Sequence, residues 1–444
     1  MPQLLQKLSV QLFRPMNNSS LVLFRMAFGL LMAAHMLMMI SNGQLSRNFI
    51  EPPFTFSFIG FEWLQPFPGQ GMYIYAWVMI ALSALVAAGA WYRLSSFLLA
   101  VMWTALYLMQ KADYNNHYYL MLLLCWFMCV VPANRRLSVD VSRNPSLASD
   151  FCPTWVYALF MVQTAIMYFY AAVSKLDPDW LSGRFIGIMF SRYRSHEYLA
   201  SLYGSHYFQL FIAYGGIMFD ALVVPLLCFK RTRYLALGAS VCFHLFNSYT
   251  FHIGVFPFLA LSLCLFYFSD RLGQWLGMQS SAGRDLQPKQ YRYRMFTTIL
   301  LMLYFLIQLA LPLRHHLFPG DVLWTDEGYR LSWKMMLRTK SGQIRFKVVD
   351  QASKQIWYDD PLQRLHKTHV MWLAGSPDMI WQYAQRIRKE YARKGFTNVE
   401  VYAIGQVSIN RRPYRALVDS SIDLGKERWE PFRHSSWIID AVRK

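Results

Sequence analysis

The sequence contains few charged residues for its length. Asp, Glu, Lys and Arg make up 16% of its 444 residues, whereas a typical soluble domain has about 25%. Hydrophobic residues make up 55% and aromatic residues 17%, which excludes a disordered or low-complexity chain and argues against an ordinary soluble enzyme. The composition instead indicates apolar membrane spans separated by charged loops.

Cysteines and the motifs of soluble enzymes are also sparse. The six cysteines lie within or at the edge of apolar runs and form no CxxC pair, so neither a disulfide framework nor a zinc site is predicted. No P-loop, GxGxxG or GxSxG turn follows a strand. The pairs His315-His316 and His366/His369 are interpreted as surface histidines, and no metal site is predicted. No cleavable signal peptide is predicted before the first apolar run.

Apolar runs long enough to cross about 30 Å of hydrocarbon recur along the chain. They predict eight or nine transmembrane helices, near residues 20–41, 71–91, 94–110, 117–132, 153–174, 206–228, 233–251, 253–269 and 293–313. Residues 1–313 are therefore predicted to form a transmembrane helical domain. Residues 314–444 contain no such run and are predicted to form a separate water-facing domain.

The distribution of basic residues predicts the orientation in the membrane. The formal charge of +19 is attributed to loops facing anionic lipid, with no nucleic-acid partner. With nine spans and a cytoplasmic N-terminus, the inner loops hold fourteen basic residues: Lys7, Arg14, Arg93, Arg135, Arg136, Arg143, Lys230, Arg231, Arg233, Arg271, Arg284, Lys289, Arg292 and Arg294. The outer loops hold six: Arg47, Lys111, Lys175, Arg184, Arg192 and Arg194. The C-terminal domain is therefore predicted to be extracytoplasmic.

The C-terminal domain is predicted to be α+β. Ile344, Phe346 and Val348 alternate as in a strand, and residues 355–358 could return as its hairpin partner. Ser376-Pro377 is typical of a helix N-terminus, and Gly395 of a helix end. Residues 399–409 alternate again as a strand.

Polar residues inside or at the ends of the predicted spans gather at their outer ends. Four segments contribute them: Asn115-Asn116-His117, then Lys175, then His244, Asn247 and Ser248 on one helix face, and finally Trp324, Tyr329 and Trp333 beyond the last span. Because such residues are costly at membrane depth, their convergence predicts a functional site.

Each group also has a structural explanation. Asn115 and Asn116 could cap a helix, His117 could bond a carbonyl, and Lys175 could extend to the interface from a helix end. The aromatic residues could form an interfacial belt. Arg25 and Asp220, inside the first and sixth spans, could pair with each other structurally.

Several segments resemble vitamin K-dependent gamma-glutamyl carboxylase. The segment Tyr114-Asn115-Asn116-His117-Tyr118-Tyr119-Leu120 is similar to its WNNHSYL motif, and Val173 to Trp180 to its VKKLDADW motif. Further similar blocks are 243–248 with 253–256 (FHxxNS and IGMF), 308–338, 407–410, 429–432 and 436–437. The blocks occur in order and also fit the bacterial group built on a horizontally transferred transmembrane domain. Ser174 replaces the first of two lysines, and an outward cysteine pair is missing. These differences suggest a bacterial homologue.

The resemblance implies a reaction and assigns residues to it. The expected function is naphthohydroquinone-dependent γ-carboxylation of glutamate, coupled to quinone epoxidation (a carbon–carbon lyase with quinol epoxidase activity). The cofactor would be vitamin K hydroquinone, with menaquinol a plausible physiological quinol, and O₂ and CO₂ would be co-substrates. Lys175 would be the base, and His117 with Asn116 would stabilise the oxyanion. Tyr329, Trp324, Trp333, His244 and Asn247 are assigned to the quinone or glutamate pocket. Charge alone assigns Arg338 and Arg184 to a substrate carboxylate.

Two other functions stay open from the sequence. One is a quinone-dependent oxygenase or epoxidase without peptide carboxylation, and the other is a non-enzymatic membrane carrier or assembly factor. The expected partners are a glutamate-containing peptide or protein, membrane lipid and an isoprenoid quinone. The expected location is a bacterial inner membrane, with the N-terminus cytoplasmic and the C-terminal domain extracytoplasmic.

Overall fold

A computed structural model describes residues 2–191, 200–278 and 293–440. The basic loop residues Arg192, Arg194, Arg284, Lys289 and Arg292 lie outside the described residues. The helices are α1 (Pro2–Leu12), α2 (Ser19–Ser41), α3 (Gly71–Ala88), α4 (Tyr92–Met109), α5 (Asn116–Val130), α6 (Val139–Arg143), α7 (Thr154–Ser174), α8 (Pro178–Leu181), α9 (Arg184–Phe190), α10 (Ala200–Gly204), α11 (His206–Cys228), α12 (Arg233–Phe251), α13 (Phe256–Leu263), α14 (Ser269–Trp275), α15 (Arg294–Ala310), α16 (Val322–Thr325), α17 (Lys367–Gly375) and α18 (Pro377–Arg393).

The strands form two small antiparallel sheets. The strands β1 (Pro15–Asn17) and β2 (Phe151–Pro153) pair with each other. The other sheet has the order β4-β3-β5, from β3 (Lys340–Asp350), β4 (Ile356–Asp359) and β5 (Val399–Ile409). In this sheet Val348 is opposite Val401 on one side and Trp357 on the other. The protein is thus mostly helical, with strands concentrated in the C-terminal domain.

Six helical segments of the described residues are long and apolar enough to cross a membrane: α2, α3, α4, α7, α11 and the segment that begins with α15. A seventh span would consist of α13 together with α14, which meet at an angle of 87°. The sequence predicted eight or nine spans because it also counted α5 and α12. Helix α5 has only 15 residues, and the polar His244, Asn247 and Ser248 lower the mean hydropathy of α12. These predicted spans are therefore short or partly polar helices.

Helix α2 packs closely against other spans in the helical core. A Cβ atom on Gly29 would lie 2.6 Å from the backbone of α3, so only glycine allows this approach. Phe24 packs with Phe160 and Phe266, whose rings stack at 4.4 Å. This packing supplies the apolar burial that holds the helices together.

The predicted pairing of Arg25 with Asp220 is wrong. Arg25 is fully buried in α2 and donates hydrogen bonds to the carbonyl oxygens of Ala133, Arg136 and Leu137, just after α5. Asp220 pairs with a different residue, described below. Hydropathy identifies both as unusual polar residues, but only the rotation of each helix decides which groups they face.

The elements predicted for the C-terminal domain are confirmed. Ile344, Phe346 and Val348 are buried on one face of β3, where they pack with α17 and α18 in a second core. Ser376 precedes α18, but its hydroxyl donates to Asp326 (3.1 Å) and makes no capping bond. Gly395 follows the helix with φ of +96°, as expected for a helix end.

Candidate active site

Lys175 lies directly after α7, the predicted fifth span. Its side chain is buried and donates to the carboxylate of Asp220 on α11, which packs alongside α7. The ammonium nitrogen also lies 5.1 Å from the centroid of the Trp180 ring. The last carbonyl groups of α7 and the Asp220 carboxylate both favour a positive charge at this position. Lys175 is therefore held as one member of a buried ion pair rather than extended into water.

The Lys175–Asp220 pair lines an apolar pocket with a cavity volume of about 70 Å³. Most of the wall is aromatic or aliphatic, and it is formed by six helices (α7, α8, α9, α11, α12 and α13) together with the segment after the last span. The lining residues are Tyr168, Lys175, Trp180, Ile186, Ile212, Gly216, Asp220, Phe243, His244, Asn247, Phe251, Ile253, Phe256, Met335 and Met336. We call this the Lys175 pocket. Such a wall suits a flat apolar ring and allows few contacts with water.

His244 and Asn247 both line the Lys175 pocket, which agrees with their predicted position on one face of α12. The Nε2 atom of His244 lies 2.9 Å from the Tyr168 hydroxyl. Its Nδ1 atom is buried and has no hydrogen-bond partner among the described residues. A buried nitrogen without a partner is costly, and a polar group of a ligand would satisfy it.

The Asn115-Asn116-His117 segment begins α5 beside the pocket. The Asn115 side chain accepts from the Tyr118 amide at 2.9 Å and caps the helix, as the structural explanation predicted. The Asn116 amide donates to the Lys334 carbonyl at 2.9 Å. The His117 ring packs 5.5 Å from that of Phe256, which lines the Lys175 pocket. His117 is therefore separated from the pocket wall by one side chain.

The three aromatic residues assigned to the pocket lie in different places. The Tyr329 hydroxyl donates to the Lys334 carbonyl at 3.2 Å. Trp333 is fully buried, 4.9 Å from the Tyr119 ring. Trp324 belongs to the C-terminal core, where its indole donates to the Ile439 carbonyl at 2.8 Å. None of the three lines the Lys175 pocket, whereas the neighbouring Met335 and Met336 do.

Both arginines assigned to a substrate carboxylate bond to the protein itself. Arg338 forms an ion pair with Asp326 and lies 3.9 Å from the centroid of the Tyr329 ring. Burial works to raise the pKa of Asp326, but Arg338 and Lys340 hold it below its usual range. Arg184 donates to the Asn410 carbonyl at 3.2 Å. In this arrangement both guanidinium groups connect parts of the protein.

The sequence reasoning missed two contacts. One is Asp220 as the partner of Lys175, although a lone acid in an apolar span was a usable signal. The other joins two of the resembling segments. Asp179, on α8, accepts from Asn410 at 2.8 Å and pairs with Arg412 at 2.6 Å. Because Asp179 closely follows Lys175 in the chain, this contact fixes the C-terminal domain beside the pocket.

The described residues contain no group of three His, Cys, Asp or Glu side chains able to hold a metal ion. The rings of His315 and His316 lie 4.0 Å apart, and those of His366 and His369 lie 6.5 Å apart. The polar groups of the Lys175 pocket are a lysine, an aspartate, a histidine and an asparagine, together with the Tyr168 hydroxyl and the Trp180 indole.

The fold and the pocket define a helical membrane protein with a small α+β domain beside its buried lysine. Comparison with known families agrees with this class. The model of the HTTM domain matches residues 13–271, and that of the vitamin K-dependent gamma-carboxylase lumenal domain matches residues 293–444. No solved structure matches the chain. The protein belongs to the vitamin K-dependent gamma-carboxylase family, and its function is gamma-carboxylase-like.

Proposed function

We propose that this protein carboxylates the γ-carbon of glutamate residues in a peptide or protein, and that it couples this reaction to epoxidation of a naphthohydroquinone with O₂ and CO₂. The observation that carries the proposal is the buried Lys175–Asp220 pair in the wall of an apolar pocket. Removing a proton from a weakly acidic hydroxyl group requires a base that is protected from water.

Lys175 is the proposed base, and Asp220 holds it in place. As an ion pair the two side chains share one proton, and the pair can accept a second one from a bound hydroxyl group. When the shared proton resides on the carboxylate, the amine is neutral and can act as a base. Trp180 packs against the amine and restricts its movement.

The lining of the Lys175 pocket fits a naphthohydroquinone. Phe243, Phe251 and Phe256 provide flat apolar surfaces, and the unpartnered His244 Nδ1 provides a bond for a ring oxygen. Asn247 adds an amide on the same wall. When bound, the hydroquinone supplies the reducing equivalents that activate O₂ and generate a base strong enough for the glutamate γ-hydrogen.

His117 is the proposed stabiliser of developing negative charge. His117 lies behind Phe256, so the Phe256 ring must rotate about its side-chain bonds before His117 can contact a ligand in the pocket. Asn116 and Tyr329 both donate to the Lys334 carbonyl and thereby position Met335 in the pocket wall. These contacts support positioning roles for Asn116 and Tyr329.

We also propose the membrane arrangement predicted from the sequence. The transmembrane domain comprises residues 1–313 and the extracytoplasmic domain residues 314–444, in a bacterial inner membrane with the N-terminus cytoplasmic. A reporter fused after Lys444 should then behave as extracytoplasmic, and one inserted between residues 134 and 150 as cytoplasmic. A cytoplasmic reporter signal at the C-terminus would refute the orientation.

The direct test of the function measures two products separately. Purified protein receives vitamin K hydroquinone, O₂, labelled CO₂ and a glutamyl peptide, with a glutaminyl peptide as control. With the glutamyl peptide we expect both quinone epoxide and fixed label, and with the glutaminyl peptide no fixed label. Epoxide without fixed label on the glutamyl peptide would instead indicate an oxygenase, and absence of oxygen consumption would indicate a carrier.

A further inference from the structure

A second pocket lies where the C-terminal domain meets the segments around α5 and α15. It leaves about 250 Å³ open, and three cations lie in its wall: Lys111, Arg314 and Arg330. The other lining residues are Phe58, Ile59, Phe318, Thr325, Asp326, Glu327, Gly328, Leu331, Asp378, Trp429, Glu430, Pro431 and Phe432. We call this the cationic pocket.

Two of the three cations share a single carboxylate. The Asp378 carboxylate lies 2.6 Å from Lys111 and 2.7 Å from Arg330, and all three side chains are largely buried. Burial works to raise the pKa of Asp378, but Arg330 and Lys111 hold it well below its usual range. One negative charge therefore faces two positive charges, which leaves one positive charge without a counter-charge in this cluster.

The third cation, Arg314, has no carboxylate within 4 Å among the described residues. Its guanidinium donates instead to the Arg330 carbonyl, a neutral acceptor.

The other acids of the wall are already engaged or exposed. Asp326 is paired with Arg338 and Lys340. Glu327 accepts from the His434 ring at 2.7 Å and from the Ser435 amide at 3.2 Å. Glu430 is exposed at the rim, 3.8 Å from Arg433. Counting Asp378 and Glu327 against Lys111, Arg314 and Arg330 leaves one positive charge in excess in this wall, which an incoming anion would offset.

The cationic pocket connects to the segment that carries His117. The Tyr114 hydroxyl accepts from the Leu331 amide at 2.7 Å and donates to Asn116 at 3.0 Å. Leu331 directly follows Arg330 in the chain. A ligand that engages Arg330 would therefore lie against residues bonded to the start of α5.

We propose that the cationic pocket binds an acidic side chain of the glutamate-containing substrate peptide through Arg314, Arg330 and Lys111. This inference rests on the proposed function, since it names the site at which that substrate docks. A planar guanidinium matches a carboxylate with two parallel hydrogen bonds, and the exposed Phe432 and the half-buried Trp429 can pack against the peptide. Arg338 and Arg184, by contrast, bond within the protein.

The test measures peptide binding by calorimetry in detergent, without quinone. We expect the wild type to bind a glutamyl peptide at least about tenfold more tightly than the matched glutaminyl peptide. Arg314→Gln should weaken glutamyl-peptide binding by a similar factor. Arg345→Gln removes an equal charge from an exposed side chain outside the pocket and should leave binding unchanged.

A second variant changes an exposed residue, so its folding is not at risk from a buried substitution. Glu430→Gln removes a negative charge from the exposed rim and should strengthen glutamyl-peptide binding at low salt. Equal binding of the two peptides by the wild type would overturn the inference, and so would equal binding by Arg314→Gln and Arg345→Gln. If peptide binding follows the expected pattern but no epoxide forms, the proposed function fails and the binding site stands. If the wild type carboxylates but Arg314→Gln keeps its KM for peptide, only the binding site fails.

Discussion

Replacing Asp220 with asparagine should slow quinone epoxidation and destabilise the protein. Asparagine keeps the size of the side chain and removes its charge. In the wild type the carboxylate is in direct contact with the Lys175 ammonium, and both are buried. Without the carboxylate, Lys175 is left buried without its ion-pair partner and is no longer held in the wall of the Lys175 pocket.

The magnitude follows from the charge pair. Two unit charges about 4 Å apart interact by about 4 kcal/mol at an effective dielectric constant of about 20. The asparagine dipole replaces part of this interaction, so we expect the free energy of unfolding to fall by about 2–4 kcal/mol. Because the displaced base no longer meets the hydroquinone hydroxyl in the right geometry, epoxidation should slow by about 10²-fold.

The assay is initial epoxide formation per mole of folded protein, with thermal unfolding measured in parallel. Asp359→Asn is the matched control, because it removes a buried carboxylate that pairs with the partly exposed Arg364 in the C-terminal domain. It should lower stability without slowing epoxidation. An Asp220→Asn enzyme that forms epoxide at the wild-type rate would refute the coupling between Asp220 and the base.

Three further predictions concern His117, Lys111 and Asn410. His117→Ala should slow epoxidation by about 10²–10³ while the yield of folded protein is kept; a rate that falls only in parallel with folded yield would make His117 structural. Burial lowers the pKa of Lys111 to about 8, and Arg330 contributes to the decrease while Asp378 and Glu62 oppose it. The positive charge of Lys111 is therefore lost above that pH. Calorimetric affinity for a glutamyl peptide should therefore fall between pH 7 and 9.5, but not in Lys111→Arg, whose guanidinium stays charged. Asn410→Ala removes a donor from buried Asp179 and should destabilise the C-terminal domain by about 1–3 kcal/mol, seen as faster limited proteolysis; unchanged proteolysis would contradict the docking role.

Sequence periodicity identified the elements whose stability is local. The strand at residues 399–409 and the helix after Ser376 were predicted because alternating or helical apolar residues decide which face is buried. The 87° bend between α13 and α14 was not predicted, since the predicted span ended at residue 269, where α14 begins with the polar residues Ser269, Asp270 and Arg271. The Ser376 hydroxyl does not cap α18, because it donates to Asp326, a residue distant in sequence.

The same distinction applies to the candidate site. Lys175, His244 and Asn247 were predicted as neighbours because unusual polar residues at one end of several spans must gather there. Sequence spacing could not assign their partners, since the rotation of α11 decides that Asp220 meets Lys175 and not Arg25. The assignment of Arg338 rested on charge alone, and charge does not reveal that Asp326 already neutralises it.

The central claim is that Lys175 acts as a base, and Lys175→Arg tests it most directly. Lys175→Ala should abolish both epoxidation and carboxylation, and small exogenous amines should restore part of the activity at pH values where they are unprotonated. Lys175→Arg keeps a cation beside Asp220, yet a guanidinium stays protonated in proteins and cannot accept a proton. We therefore predict that purified, folded Lys175→Arg forms no epoxide above background. Epoxide formation near the wild-type rate would contradict the account, because a cation alone would then be sufficient.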